Sequence, residues 1–383
     1  MSVVIAGYAR TPFVKYCGAF SRMPATALGA HAIAAALADA GLAPDAVDRV
    51  VAGQVLQGGA GQNPARQSAV GAGIPLTVPA STLNVVCLSG TEAVAAGARL
   101  IASGEARMVV AVGQESMTLA PHAYAARMGT RYGQIEMLDT MAHDGLTDAF
   151  ERRSMGHSTE EHGERHGFTR EDQDAWAVES HGRAVAAREL LAREIAPVTV
   201  REGVDPVAED DGVRPGTSLE SLARLRPAFG GRGTITAGNA SQLSDGAAAV
   251  VLAHESVAPR AIARVLATAL VAGPDVSLHE QPAAATEAAL ARADRVASEL
   301  RTAEISEAFA SVTLASARRL GLDLGIVNPH GGAIALGHPI GASGARLVGH
   351  AALTLAAMGS DALGVATLCG GGGQGSAVLL EAV

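Results

Sequence analysis

The feature that most restricts this chain is a rhythm used twice. Short runs rich in β-branched residues alternate with Ala-rich helical stretches, once near each end of the chain. In the first stretch Val3–Tyr8, Val47–Val55 and Met108–Val112 read as buried strands, with helices near Thr26–Ala40 and Thr91–Ala102 between them. After Asn239, Ala247–Ala253, Arg264–Ala272, Leu363–Leu368 and Ser376–Glu381 read as strands. Strands separated by helices need crossovers, so the rhythm predicts an α/β fold with a largely parallel sheet covered on both faces.

The repetition extends to detail. Cys87-Leu88-Ser89-Gly90 opens a helix that leads to the strand Met108–Val112 and then Gly113-Gln114. Gly341-Ala342-Ser343-Gly344 opens another, which leads to Leu363–Leu368 and the glycine run 370–373. A strand–loop–helix–strand unit used twice predicts duplicated halves related by a pseudo-twofold axis. From Ser116 to Gly238 the charge density rises and Gly and Pro break the pattern. One long helix is predicted there, with Thr169 as its cap, Glu171 and Asp172 at its positive end, and Trp176, Leu190 and Leu191 at apolar positions. The expected organisation is a first half from 1–115 with 239–260, an inserted loop-rich domain over 116–238, and a second half over 261–383. A length of 383 residues with 48% hydrophobic content fits more than one core.

Charge excludes one class of partner. The net charge of −9 argues against nucleic acid, which needs a basic face. A local Arg cluster can still hold a polyanionic small molecule. Cys17, Cys87 and Cys369 cannot build a disulfide framework, and their spacing fits no zinc motif. The chain opens directly into a strand-like run, and no apolar stretch reaches the roughly 18–20 residues of a membrane span. The expectation is a soluble cytoplasmic protein with free thiols and no membrane partner.

Three constellations carry chemistry. Cys87, before a helical run, would lie near unpaired backbone N–H groups, which lower a thiol pKa and can hold an oxyanion. Taken alone, a buried structural cysteine is the commoner reading. His338, between Gly337 and Pro339, is a natural base for a thiol, or a structural donor. Cys369 follows a strand and opens a segment with five glycines in seven residues, where bare N–H groups can converge on negative charge. No Lys-Ser/Thr pair follows, so a nucleotide-hydrolase loop does not match. His162 and His166 stand four apart, but Gly163 and Gly167 favour a solvated polar segment over a metal site.

Together these motifs resemble the thiolase family over almost the whole chain. The likeness includes Arg10-Thr11-Pro12-Phe13, the run from Gly61 to Gln67, the run from Val78 to Thr82 that leads to Cys87, and the run from Thr234 to Ser241. It implies duplicated βαβαβ halves in a layered α/β/α/β/α core, and acyl transfer between coenzyme A thioesters through an acyl-cysteine. It implies Cys87 as acyl acceptor and His338 as its activator and later a holder of the enolate oxygen. Cys369 would be the second acid/base, and the N–H groups of Cys87 and Gly371 the oxyanion hole. Coenzyme A contacts would come from Leu146, Met155, Arg214, Ser221, Phe229, Ala237, Ser241 and Phe309. Coenzyme A and acyl-CoA enter as substrates, no cofactor is held permanently, and a homodimer or homotetramer is expected.

Three departures stand out. Ser306 occupies the position of an Asn that orients a water beside the enolate. Leu278-His279-Glu280-Gln281-Pro282 replaces a Met-Gly-x-Gly-Pro loop over the acyl pocket, and Ser154 replaces a His before Met-Gly. Two alternatives remain open. One is a ketoacyl synthase relative, which the second cysteine disfavours. The other is a non-turnover acyl-CoA-binding protein or complex subunit, supported only by Ser306.

Overall fold

The computed structural model describes residues 2–231 and 233–383. The first half contains β1 (Val3–Arg10), β2 (Val14–Lys15), α1 (Ala25–Ala40), β3 (Arg49–Gly53), α2 (Pro64–Gly71), β4 (Ala80–Leu83), α3 (Ser89–Ala102) and β5 (Met108–Ser116). The chain then leaves the sheet. It forms a small hairpin of β6 (His122–Ala123) and β7 (Leu138–Asp139), then α4 (Met155–Gly163), α5 (Arg170–Ala186), α6 (Arg188–Ala192) and α7 (Leu219–Ala223). It re-enters the sheet as β8 (Ser244–His254). The second half contains β9 (Ala263–Ala272), α8 (Gln281–Arg292), β10 (Leu300–Ile305), α9 (Ala310–Leu320), α10 (Ala333–Leu336), α11 (Ser343–Met358), β11 (Leu363–Gly370) and β12 (Gln374–Ala382).

One sheet runs β10-β11-β12-β9-β1-β8-β5-β3-β4, with β2 paired to β8. The order is the same outward from the β1–β9 junction on both sides: first strand, last strand, then the strand after the central helix, then the second strand. The duplication expected from sequence is therefore present in topology. Within each half all the main strands but one point the same way, as the rhythm predicts. The odd strands, β8 and β12, lie inside their halves, so most neighbouring pairs are antiparallel. β12 follows β11 without a crossover helix, and the two pair as a hairpin from Leu363–Glu381 to Gly370–Gln374, whereas β8 returns beside β5 after the whole insertion.

Three cores make five layers. Along the strands, alternate residues enter different cores: Ile5, Val109 and Val250 face inward, while Val4, Val110 and Val251 face outward. Burial on both faces is why these strands read as unbroken apolar runs. The outer face of the first half is covered by α1 and α2, and that of the second half by α8, α9 and Trp176 of α5. Between the two halves lie α3 and α11, whose side chains share one core with strands of both halves. Their close approach needs glycine. A Cβ on Gly90 would sit 2.6 Å from the backbone nitrogen of Ala345, and one on Gly344 would collide with the backbone nitrogen of Thr91.

The long helix of the insertion begins as expected, with Thr169 and Asp172 forming a reciprocal capping box. It ends at Ala186, and Leu190 and Leu191 belong to the separate α6, because the chain turns at Ala187.

These contacts make opposite predictions for two glycines. Gly344→Ala should lower stability by about 1–3 kcal/mol through backbone overlap. Gly182→Ala, in an exposed turn of α5 with nothing within 4 Å of the added methyl, should raise it by roughly 0.5–1 kcal/mol. Urea unfolding midpoints at constant m-value measure both.

Candidate active site

Cys87 stands at the apex of the turn between β4 and α3. Asn84 Oδ1 accepts from the Val86 N–H at 2.9 Å, and Ser89 Oγ accepts from the Val85 N–H at 2.9 Å and donates to the Val86 carbonyl at 2.7 Å. These bonds hold Val86 at φ +51°, a left-handed conformation that a β-branched residue rarely adopts. The turn delivers Cys87, half-buried, among Val55, Leu56, Met117, Leu146, Leu243 and Ile340.

Burial pushes the Cys87 thiol up to about 11, although the nearby backbone N–H groups of Gly371 and of Cys87 itself pull the other way; Glu115 adds to the rise. This corrects the expectation that a helix start favours the thiolate. The N–H groups are in place, but desolvation outweighs them, and the resting nucleophile is a thiol.

His338 follows Gly337, which has φ +103°. The His338 N–H donates to the Gln242 carbonyl at 2.9 Å. Its Nδ1 lies 2.7 Å from Ser343 Oγ, and that hydroxyl donates to the Pro339 carbonyl at 3.0 Å. With the Ser343 proton directed to Pro339, the His338 tautomer that fits is the one with hydrogen on Nδ1, donating to Ser343 Oγ. Nε2 is left as a buried lone pair without a protein partner. Burial pushes this imidazole down to about 4.

Cys369 is the penultimate residue of β11, buried among Ile235, Leu278, Phe309 and Val312. Burial raises its thiol well above the ordinary value, and the neighbouring Cys87 adds to this. Ser306 follows β10; its N–H donates to the Thr367 carbonyl at 3.0 Å, and its buried hydroxyl has no partner. Cys87, Cys369 and Gly371 thus meet, and Ile340, two residues after His338, packs with Cys87.

The other residues singled out from sequence divide into a cluster and a rim. Met155, Phe229 and Phe309 pack with Cys369, with Phe229 edge-on to Phe309 at 6.1 Å between ring centres. Leu146 lies beside Cys87, and its carbonyl accepts from the Met155 N–H at 2.8 Å. The Ser241 N–H donates to the Ala308 carbonyl at 3.1 Å. Arg214 is exposed and reaches Gln242 Oε1 at 3.2 Å. Ser221 and Ala237 are exposed and outside the cluster; Ser221 closes the capping box of α7.

Ser154 caps α4, and its hydroxyl lies 2.7 Å from His157 Nδ1. Leu278 packs on Cys369, while His279 stacks on His166 at 4.6 Å. His162 pairs with Glu151 at 2.9 Å, so the two histidines noted from their spacing go to different partners.

Two carboxylates escaped sequence reasoning as site supports. Glu115 is buried, accepts from the N–H groups of Val55 at 3.1 Å, Leu56 at 3.2 Å and Gly341 at 3.0 Å, and is pushed up to about 7 by burial. Glu307 accepts from Trp176, Ser180, Asn328 and the Ile334 N–H, and so ties α5 to the loop that carries His338. The available signal was a single carboxylate embedded in a strand end or an otherwise apolar turn.

A thiol at a helix start, backbone donors aimed at it, a bare imidazole and a second thiol define a cysteine-dependent acyltransferase on a duplicated α/β fold. The description "Thiolase, N-terminal domain" matches residues 3–256, and "Thiolase, C-terminal domain" matches residues 259–382. A probable acetyl-CoA acetyltransferase of Mycobacterium tuberculosis (strain ATCC 25618 / H37Rv) is 50% identical, covering 100% of this chain and 99% of the relative. The corresponding protein of Mycobacterium leprae (strain TN) is 49% identical, also over 100% and 99%. The acetyl-CoA acetyltransferase of Shinella zoogloeoides is 44% identical over the same shares. The chain belongs to the thiolase family, and its activity is thiolase acyl transfer.

The neutral resting thiol has a measurable signature. Iodoacetamide labelling of Cys87, followed by peptide mass, should rise about tenfold per pH unit from 7 to 10, because the thiolate fraction grows up to a pKa of about 11. A plateau already reached near pH 8 would mean a resting thiolate.

Proposed function

We propose that the protein is an acetyl-CoA C-acetyltransferase that joins two acetyl groups, or cleaves their product with free coenzyme A, in the cytoplasm. The observation that carries this reading is the convergence of the Gly371 and Cys87 N–H groups on the Cys87 sulfur, with Cys369 beside it. The relatives' names support acetyl-CoA as substrate. A short acyl chain is supported by Leu278, Phe309, Val312 and Ile235, which pack directly on Cys369. Three free cysteines, two of them at the site, fit a reducing compartment.

The proton bookkeeping follows from the two neutral partners. Cys87 gives its proton to the bare Nε2 of His338 as the sulfur attacks the thioester carbon. The carbonyl oxygen becomes an oxyanion on the N–H groups of Cys87 and Gly371. The carbon–sulfur bond to coenzyme A breaks, and the departing thiolate takes the proton of Cys369. The Cys369 thiolate then removes the α-proton of a second acetyl-CoA. The enolate oxygen rests on His338 Nε2–H and the Ser306 hydroxyl. Its carbon attacks the acetyl-Cys87, and the Cys87 sulfur leaves with the proton returned by His338. Two thioesters become one 3-ketoacyl-CoA and one coenzyme A thiol.

Residues 116–238 act as the coenzyme A-binding insertion on the two halves 1–115 with 239–260 and 261–383. Met155, Phe229 and Phe309 flank the pantetheine, with Leu146 and Ser241 beside them. Arg214 faces the anionic end of the cofactor, with Ser221 and Ala237 on the rim. The chain also self-associates. The support is the edge position of β4 and the exposure of Met128, Tyr132, Ile135 and Met137 around the β6–β7 hairpin.

Thiolysis and condensation assays over a series of acyl lengths test the activity. Turnover should be greatest with acetoacetyl-CoA and vanish in Cys87→Ala. Cys369→Ala should still acetylate Cys87 yet lose roughly 10²–10⁴ in condensation rate. Preference for long 3-ketoacyl chains would overturn the substrate assignment. Light scattering should give the mass of a dimer or tetramer; a monomer would overturn self-association.

A further inference from the structure

The loop between β9 and α8 reaches the acyl site at Leu278 and is gripped at the next residue. Leu278 is buried with Ile235, Phe309, Val312 and Cys369. His279 is buried completely. Its ring lies nearly parallel to that of His166, with 4.6 Å between centres and 22° between planes. Its Nε2 is 3.2 Å from Oγ of Ser311, the residue before Val312, and its carbonyl accepts from Ser316 Oγ at 2.8 Å. Gly163 leaves room for the ring: a Cβ there would lie 3.1 Å from Nε2. Burial pushes His279 down to about 3 and holds His166 below the ordinary imidazole range, so two uncharged rings stack at neutral pH.

The helix α4 connects the same two places. It begins at Met155, which packs against the cluster around Cys369, and ends at Gly163, against the His279 ring. His166 follows three residues later, and its carbonyl accepts from Arg318 of α9 at 3.0 Å. The insertion and the second half therefore meet twice, at the acyl site and at the stacked rings, with one helix between.

We propose that the His166–His279 stack is a specificity clamp that fixes Leu278 as the end wall of the acyl pocket and so limits the acyl group to a short one. This rests on the short-chain reading given above. Both histidines are positioning residues and act through Leu278. A leucine has only van der Waals contacts with which to keep its place, and a loop is otherwise the most movable part of a pocket wall. A longer acyl chain needs Leu278 to move. With its neighbour clamped, that movement disturbs the ring stack and the Ser311 and Ser316 bonds together. A wall held from behind selects by shape and adds no polar group to the pocket.

The deciding quantity is the ratio of thiolysis kcat/KM for 3-ketooctanoyl-CoA to that for acetoacetyl-CoA. His279→Gly should raise it about tenfold or more, since each methylene admitted to an apolar pocket changes kcat/KM by roughly tenfold to two-hundredfold. The change should come mainly through a lower KM for the longer substrate. His166→Ala should raise the ratio too, and the double variant no further than His279→Gly alone, because both changes remove one stack. His166→Phe keeps a ring against His279 and should leave the ratio within about threefold of the parent. Acetylation of Cys87 by acetyl-CoA, read by protein mass, should stay within about threefold in the histidine variants. Leu278→Ala should raise the ratio at least as far as His279→Gly.

Equal losses for both substrates in His279→Gly and His166→Ala would mean merely structural histidines and overturn the clamp. An unchanged ratio in those variants, with a raised one in Leu278→Ala, would leave Leu278 as a wall that needs no clamp, and the proposal fails. An unchanged ratio in Leu278→Ala removes the wall and the clamp together. If the parent enzyme already prefers 3-ketooctanoyl-CoA, the short-chain reading fails and takes the clamp with it. Where urea unfolding shows His279→Gly to be unfolded, His166→Ala against His166→Phe decides between the same outcomes.

Discussion

The site depends on a contact between two helix starts. Gly90 lies three residues after Cys87, and Gly344 lies six after His338. At these two positions α3 and α11 pass so closely that no side chain fits. The positions are equivalent in the duplicated halves, because each helix precedes the strand that leads to its half's glycine turn. One half therefore presents Cys87 and the other His338, each in the loop that leads into its half's central helix. Gly113 and Gly341 continue the contact: a Cβ on Gly113 would lie 2.5 Å from the Gly341 carbonyl oxygen. The pseudo-symmetry is thus a means of bringing two loops, more than 200 residues apart in sequence, against one another without an adjustable hinge.

Buried charge fixes the loops that this contact brings together. Glu115 spans from the end of β5 to the Gly341 N–H and to the 55–56 segment. Glu307 spans from α5 to the 328–334 segment. A third network joins the insertion to both halves. Arg10 pairs with Glu194 at 2.6 Å and with Asp210 at 2.6 Å, and Glu194 pairs with His350 of α11 at 2.8 Å. Burial raises the Glu194 carboxyl, but His350 and Arg10 outweigh it and hold the group well below the ordinary carboxylate range. Such pairs contribute little net stability compared with apolar packing, yet removal of one member costs about 3–5 kcal/mol. Their value here is geometric: each carboxylate accepts from groups on separate segments, and no apolar side chain could hold those segments in register.

The fold was legible because both faces of most strands are buried. That condition writes unbroken apolar runs into the chain, and Val109-Val110 or Val250-Val251 can be read as strand without knowing which core each residue enters. The position of β8 and β12 was not legible. A hairpin and a crossover leave similar apolar runs, and only pairing decides between them. Cys87, His338 and Cys369 stood out because Gly and Asn around them mark unusual backbone. Ser221 carries no such mark, and Ala237, although followed by Gly238 and Asn239, lies with it on an exposed rim. The protonation state of Cys87 was misread because the sequence displays the helix start but not the wall of Leu56, Met117 and Ile340 that desolvates the sulfur.

That wall gives the chemistry its order. A thiolate–imidazolium pair at rest would place two charges in an apolar pocket and would expose a reactive thiolate to any electrophile that entered. With the thiol up near 11 and His338 down near 4, the neutral pair is the stable form at pH 7. Transfer of the proton then becomes favourable only when the sulfur's negative charge moves onto a thioester oxygen that the Cys87 and Gly371 N–H groups can bind. The same burial that disfavours the free thiolate strengthens those donors, since a hydrogen bond to an oxyanion gains as water is excluded. Desolvation therefore acts twice, first by suppressing attack in the absence of substrate and then by stabilising the intermediate once the acyl group is in place. In the proposed mechanism Cys369, buried more deeply and raised further by its neighbour, stays protonated until the departing coenzyme A thiolate takes its proton. The second base is created by the first half-reaction and is absent before it.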